Sequence, residues 1–248
     1  MLSNTICLYV NLFLVIVNIL QILANFVVLI AWCTSKRLLR NDNLILLVSL
    51  AFIDFIYAVL QIPYLTVLIA GTKPNGVPPD YNPWLIVLLG GPSAALLKSG
   101  WAITNAIAID RVVAIRFPVQ YYKRSKRNWS IGAFAFAIVL AFIDWIILQR
   151  TVTIRRLPYC TSFGCFTNDV FRAYSGLSNM VLTFLLCMLI MVILYYLCKG
   201  SKTTSLSAEI EMQNRHRIDK NVSFLPKFFL ILLLPHFGIA IPCILEEF

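Results

Sequence analysis

Residues 6–32 read ICLYVNLFLVIVNILQILANFVVLIAW, an apolar run without a single charge. About 20 apolar residues in a helix cross the hydrocarbon core of a bilayer. The run is too long for the apolar region of a secretory signal, and no basic segment precedes it. It is expected to be a spanning helix that also serves as an uncleaved targeting signal. Outward from it, similar runs recur at 44–70, 92–115, 131–148, 174–198 and 224–245. The third is open to an earlier start at Trp84, but Gly90-Gly91-Pro92 is a strong break and marks its expected start, because proline is best tolerated at the first helical position. The sequence ends at Phe248 before a seventh run. The expected fold is all-α, a polytopic transmembrane helix bundle of six spans forming one domain over 1–248.

Composition agrees. Sixty per cent of the residues are hydrophobic and 13% are charged, and mean hydropathy is +0.82. Soluble domains carry about 25% charged residues. The net charge of +10 is carried by clusters beside the spans, with no basic domain interleaved with aromatics. Membrane lipids and a cytosolic protein surface are therefore the expected partners, and nucleic acid is not. Five of the cysteines, Cys7, Cys33, Cys187, Cys198 and Cys243, lie in or beside apolar runs and read as packing residues. Cys160 and Cys165 share one loop, where they either pair or stay free. No zinc spacing accompanies them, and no metal site is expected.

The basic residues set the expected orientation. With the N-terminus outside, the inner loops hold thirteen lysines and arginines, among them Lys36, Arg37, Lys123, Arg124, Lys126 and Arg127, and the outer loops hold five. Two features oppose this. Arg155-Arg156 falls outside, and the sequons at Asn128 and Asn221 fall inside, where they cannot be glycosylated. The larger charge asymmetry decides for an extracellular N-terminus.

Polar groups within spans need a reason, since an unpaired one costs several kcal/mol. Asn25 and Asp54 lie near mid-span. Asp110-Arg111 closes the third run, Lys98 lies roughly 20 Å further up the same helix at 1.5 Å per residue, and Asp144 lies near the end of the fourth. Lys98 is open to three readings: an ion pair with Asp144, a contact to a ligand carboxylate, or an outward reach to the interface.

These residues together resemble the rhodopsin-like G-protein-coupled receptors. Asp110-Arg111-Val112, followed by Phe117-Pro118 and Tyr121-Tyr122, is similar to that family's Asp-Arg-Tyr box. Asn25 resembles the first-helix asparagine, and Leu50-Ala51-Phe52-Ile53-Asp54 the second-helix Leu-Ala-x-x-Asp. Pro63 matches a kink position, and Phe229 and Pro235 share the sixth-helix Phe and Pro spacing. The finer resemblance is to nematode serpentine chemoreceptors of class bc or a related class. Several positions depart from the family pattern. Val112 stands for the usual tyrosine, no cysteine lies near the start of the third run, and Leu232-Leu233 precede Pro235 where Cys-Trp is usual. The seventh helix with its Asn-Pro-x-x-Tyr is missing, from a short gene model or an incomplete product.

The resemblance implies six spans of a seven-helix receptor architecture in the plasma membrane of a neuronal or ciliary cell. It implies a small-molecule or peptide ligand and a heterotrimeric G protein. Asp110 would restrain Arg111 at rest, and Arg111 would meet the G protein when released. Asn25 and Asp54 would form a polar core or Na⁺ site, and no other cofactor is expected. Transport is the competing class, since Asp54 and Asn25 could bind a solute; a non-signalling receptor remnant is a third. Enzymatic function is not expected, because His216 and His236 cluster with no acid or cysteine.

Overall fold

The computed structural model describes residues 2–72, 81–152 and 163–203. The helices are α1 (Leu2–Thr34), the short α2 (Lys36–Leu39), α3 (Ile45–Gly71), α4 (Pro83–Arg116), the short α5 (Pro118–Lys123), α6 (Lys126–Thr151) and α7 (Asp169–Thr203). Single 3₁₀ turns lie at Asp42–Leu44 and Phe163–Phe166. Among the described residues there is no strand. Five helices are long and apolar enough to cross a membrane: Ile6–Thr34, Ile45–Gly71, Pro83–Arg116, Lys126–Thr151 and Asp169–Leu197. The protein is an all-α polytopic helix bundle. The run at 224–245, with Phe229 and Pro235, lies outside the described residues.

Hydrocarbon supplies no hydrogen bonds, so each span must satisfy its own polar groups. Hydroxyl and amide side chains fold back on their own helices. Thr66 Oγ1 donates to Ile62 O at 2.8 Å, Thr104 Oγ1 to Gly100 O at 2.9 Å and Asn18 Nδ2 to Leu14 O at 2.8 Å.

Helix α4 is the centre. Helices α3, α6 and α7 all pack on it, and α1 packs on α3. Small residues make this central place available. Gly90, Gly91, Ser93, Ala95, Ser99 and Ala102 are among its buried positions, and such residues let neighbouring helices come close. Ser99 Oγ donates across the interface to Ala137 O of α6 at 2.7 Å. One apolar cluster joins Leu14, Leu65, Ile86 and Phe166 near the N-terminal end; a second joins Leu50, Ile53, Ile103 and Ala137 nearer the middle. The Phe26 and Phe55 rings stack at 6.0 Å between α1 and α3.

Helix α4 starts nearer to Trp84, the earlier of the two expected positions, than to Pro92. Pro92 lies inside α4, which begins at Pro83. The Asn82 side chain caps that start by accepting from Trp84 N at 3.1 Å, and Pro83 takes the first helical position, where its missing N–H costs nothing. Around Pro92, Ser93 Oγ bonds Gly90 O at 2.8 Å. The two glycines do not break the helix; they admit neighbours. A Cβ on Gly90 would lie 2.9 Å from Phe163 Cδ2 and 3.1 Å from Tyr64 Cε2, and one on Gly91 2.9 Å from Leu148 Cδ2 and 3.0 Å from Trp145 Cζ3.

The N-terminal end is tied by two tyrosines. Tyr64 Oη accepts from Phe163 N at 3.0 Å, which seats the 3₁₀ turn on the bundle. Tyr81 Oη donates to Leu68 O at 2.8 Å. Burial pushes the Tyr81 hydroxyl's pKa above its ordinary value, so it remains a donor.

Overpacking costs about 1–3 kcal/mol. Gly91→Leu is expected to lower the melting temperature of the detergent-solubilised protein. Gly132→Leu, at a position where nothing lies within 4 Å of an added Cβ, is expected to leave it unchanged. Equal melting curves for both would show that α4 does not need its glycine contacts.

Candidate functional site

Three groups of polar residues stand out, at three levels of the bundle. The first lies at the end that carries Lys36, Arg40, Arg116 and Lys123–Arg127, hereafter the basic end. Helix α4 stops there because Phe117, at φ −131° and ψ 62°, leaves the helical region and Pro118 opens α5. The reversal folds α5 back toward α4. Tyr121 Oη then donates to Asp110 Oδ2 at 3.1 Å. Lys126 Nζ lies 4.4 Å from the centre of the Tyr121 ring. The expected pairing of Asp110 with Arg111 is not formed. Arg111 is exposed and has no hydrogen bond, ion pair or ring contact among the described residues. The physical reason is rotation: neighbours in a helix point about 100° apart, so Asp110 faces α5 while Arg111 faces away. Arg116 lies over the Phe117 and Tyr196 rings at 5.5 and 5.8 Å, which links α4 to α7.

The second group is a buried charge cluster further toward the N-terminal end. Lys98 Nζ of α4 donates to Asp144 Oδ1 of α6 at 2.6 Å, and both side chains are 4% exposed. Tyr174 Oη of α7 donates to the same oxygen at 2.8 Å, and Lys98 Nζ lies 4.2 Å from the Tyr174 ring centre. Of the three readings of Lys98, the ion pair is the one the structure contains, and the residue is 3% exposed. One carboxylate thus joins three helices. Low dielectric strengthens the pair and equally penalises either partner alone.

The third group is made of residues on α1 and α3. Asn25 is half-buried, and its Nδ2 donates to Gln21 O at 3.0 Å. Asp54 is buried and has no hydrogen bond or ion pair among the described residues. No hydrogen bond joins Asn25 to Asp54. On the face of α1 that carries Asn25, Asn18 and Gln21 are also buried, and Asn18 Oδ1, Gln21 Oε1 and Gln21 Nε2 have no partner. Among the described residues no group of three His, Cys, Asp or Glu could hold a metal.

Pro63 lies within α3. Cys165 is disulfide-bonded; Cys160 lies outside the described residues. Four contributors carry no expected role from the sequence: Tyr121, Tyr174, Asn18 and Gln21. Tyr121 and Tyr174 were unassigned because their partners are set by chain reversal and helix packing. Asn18 and Gln21 left a readable signal, since with Asn25 they recur at helical spacing on one face of an apolar run.

The architecture defines a class, the multi-pass helical membrane proteins. The chain belongs to one family within it. Residues 3–241 match the sequence model of the serpentine type 7TM GPCR chemoreceptor Srbc, a nematode chemoreceptor family. No curated protein matches the chain.

Because removing one partner of a buried pair costs about 3–5 kcal/mol while replacing both can be neutral, Lys98→Met and Asp144→Leu are each expected to reduce folded protein sharply. The double variant is expected to recover most of the loss, read as thermal stability and surface amount. A double variant no better than the singles would show that the pair is not the source of the effect.

Proposed function

We propose that this chemoreceptor signals through a cytosolic heterotrimeric G protein in response to a small molecule or peptide, with Arg111 as the contact residue. The observation that carries the reading is the exposed guanidinium at the basic end, beside an aspartate held by Tyr121. An arginine cannot lose its proton, so Arg111 is ready to take carbonyl or carboxylate acceptors from a partner. The Tyr121–Asp110 bond fixes α5 against α4, and in this proposal it marks the resting arrangement. A ligand that binds a second arrangement more tightly shifts the population toward it, by no more than its differential affinity.

The thirteen basic residues of the predicted inner loops against five outside support placing the basic end in the cytosol and the N-terminus outside the plasma membrane. Anionic lipid headgroups would bind the same loops. Asp54 is the proposed Na⁺ ligand. The unpartnered Asn18 and Gln21 oxygens are donors of the kind hard cations take, and they lie on the helix packed against α3. Asp54→Leu is expected to remove any Na⁺ dependence of the melting temperature, and a dependence that survives the change would discard the site.

Arg111→Ala is expected to leave surface level within about twofold of the parent and to lower nucleotide exchange on the G protein at least tenfold, the loss of about 1.4 kcal/mol or more of coupling. Tyr121→Phe and Asp110→Asn are expected to raise basal exchange, since each weakens the restraint on α5. Exchange per surface receptor that is unchanged by all three would reduce the pair to an interfacial charge cluster. A tag at Met1 is expected to be accessible on intact cells and a tag between Lys123 and Arg127 to be hidden; the reverse pattern would invert the topology.

A further inference from the structure

At the basic end, α4, α6 and α7 enclose a crevice of about 600 Å³, within the range of roughly 300–1,000 Å³ typical of small-molecule sites. Helix α4 is its floor. Helices α6 and α7 are its walls, since both pack on α4 and touch each other little. Phe136 and Leu185 at the rim are 60% and 43% exposed, so the crevice opens sideways onto lipid tails. Its other mouth is polar, with Arg124 and Ser125 at the start of α6.

Two buried polar atoms on residues lining this apolar space lack partners. One is Asn105 Oδ1 of α4, on a residue 4% exposed; the other is Trp129 Nε1 of α6. The Asn105 amide nitrogen is already committed to Trp101 O at 2.9 Å and Leu182 O at 3.1 Å. Its oxygen therefore calls for a donor, and the indole N–H calls for an acceptor. At the mouth, the Arg124 guanidinium lies 4.0 Å from the centre of the Trp129 ring, and the first N–H groups of α6 add positive potential. The Ser99–Ala137 bond fixes the antiparallel register of α4 and α6. In that register Asn105 lies about 10 Å deeper than Ser125, at 1.5 Å per residue.

We propose that this crevice binds a single-chain amphiphilic acid bearing a hydroxyl partway along its chain. The carboxylate sits between Arg124 and the start of α6 and accepts from Trp129 Nε1–H. The chain lies on Ala106 and Ala133. The hydroxyl donates to Asn105 Oδ1. The site is separate from the Arg111 surface and does not depend on G-protein coupling.

The test uses the full chain in neutral phosphatidylcholine nanodiscs, with radiolabelled 10-hydroxystearic acid as probe. The hydroxy acid is expected to bind at least tenfold more tightly than its methyl ester and several-fold more tightly than stearic acid. Arg124→Gln is expected to bring the acid down to the level of the ester, and Asn105→Ala to erase the preference for the hydroxyl. Gly132→Phe fills the crevice from a position with no atom within 4 Å of a Cβ. It is expected to abolish binding at an unchanged melting temperature, which keeps the test valid if Asn105→Ala fails to fold. Unchanged binding in Gly132→Phe, equal binding of acid and ester, or no saturable binding would overturn the proposal. Displacement by phosphatidylserine in the discs at equal mole fraction would overturn it too, because the occupant would then be a membrane phospholipid.

Discussion

A medium of hydrocarbon gives a polar group nothing to bond to, so each one has to be met from within the protein. This constraint orders the bundle. Threonines and asparagines turn back on their own helices, which meets many of these groups within one span. A lysine cannot be met that way. Lys98 needs an anion from another helix, and Asp144 supplies it. Tyr174 adds a second donor to the same carboxylate, and α4, α6 and α7 are held in one arrangement near the N-terminal end. Farther along, a crevice opens between α6 and α7 over α4, and unmet atoms appear on Asn105 and Trp129. Polar satisfaction is thus tight at one level of the bundle and open at another.

Hydropathy made the spans legible because about 20 apolar residues in series have few other uses. It left the third helix's start open between Trp84 and Pro92. Gly90-Gly91-Pro92 reads locally as a break, yet the glycines serve close packing against Tyr64, Phe163, Trp145 and Leu148, and that partner set is invisible in one dimension. The Asp110-Arg111 pair was recognisable as a motif, and the family match over residues 3–241 agrees with the resemblance. Its bonding was not recognisable. Asp110 meets Tyr121 only because the chain turns at Phe117. Lys98 could be narrowed to three fates from sequence, and only the distance to Asp144 chose among them.

Small residues on α4 have a double effect. Where Ser99 and Gly91 face α6, they bring the helices into contact. Where Ala106 faces the gap between α6 and α7, the same economy of side chain leaves space. Central position and cavity have one origin in the residue sizes of a single helix.

The Lys98–Asp144 pair also bears on how the protein is made. Synthesis runs from the N-terminus, so α4 reaches the membrane before Asp144 of α6 exists. In that interval Lys98 is an unpaired ammonium on a helix bound for the bilayer, at a cost of a few kcal/mol by insertion scales. Helix α4 has then to wait with Lys98 reaching toward water or toward polar groups of the insertion machinery. The ion pair itself can form only when α6 arrives, so the final packing of α4 is coupled to α6 through one lysine.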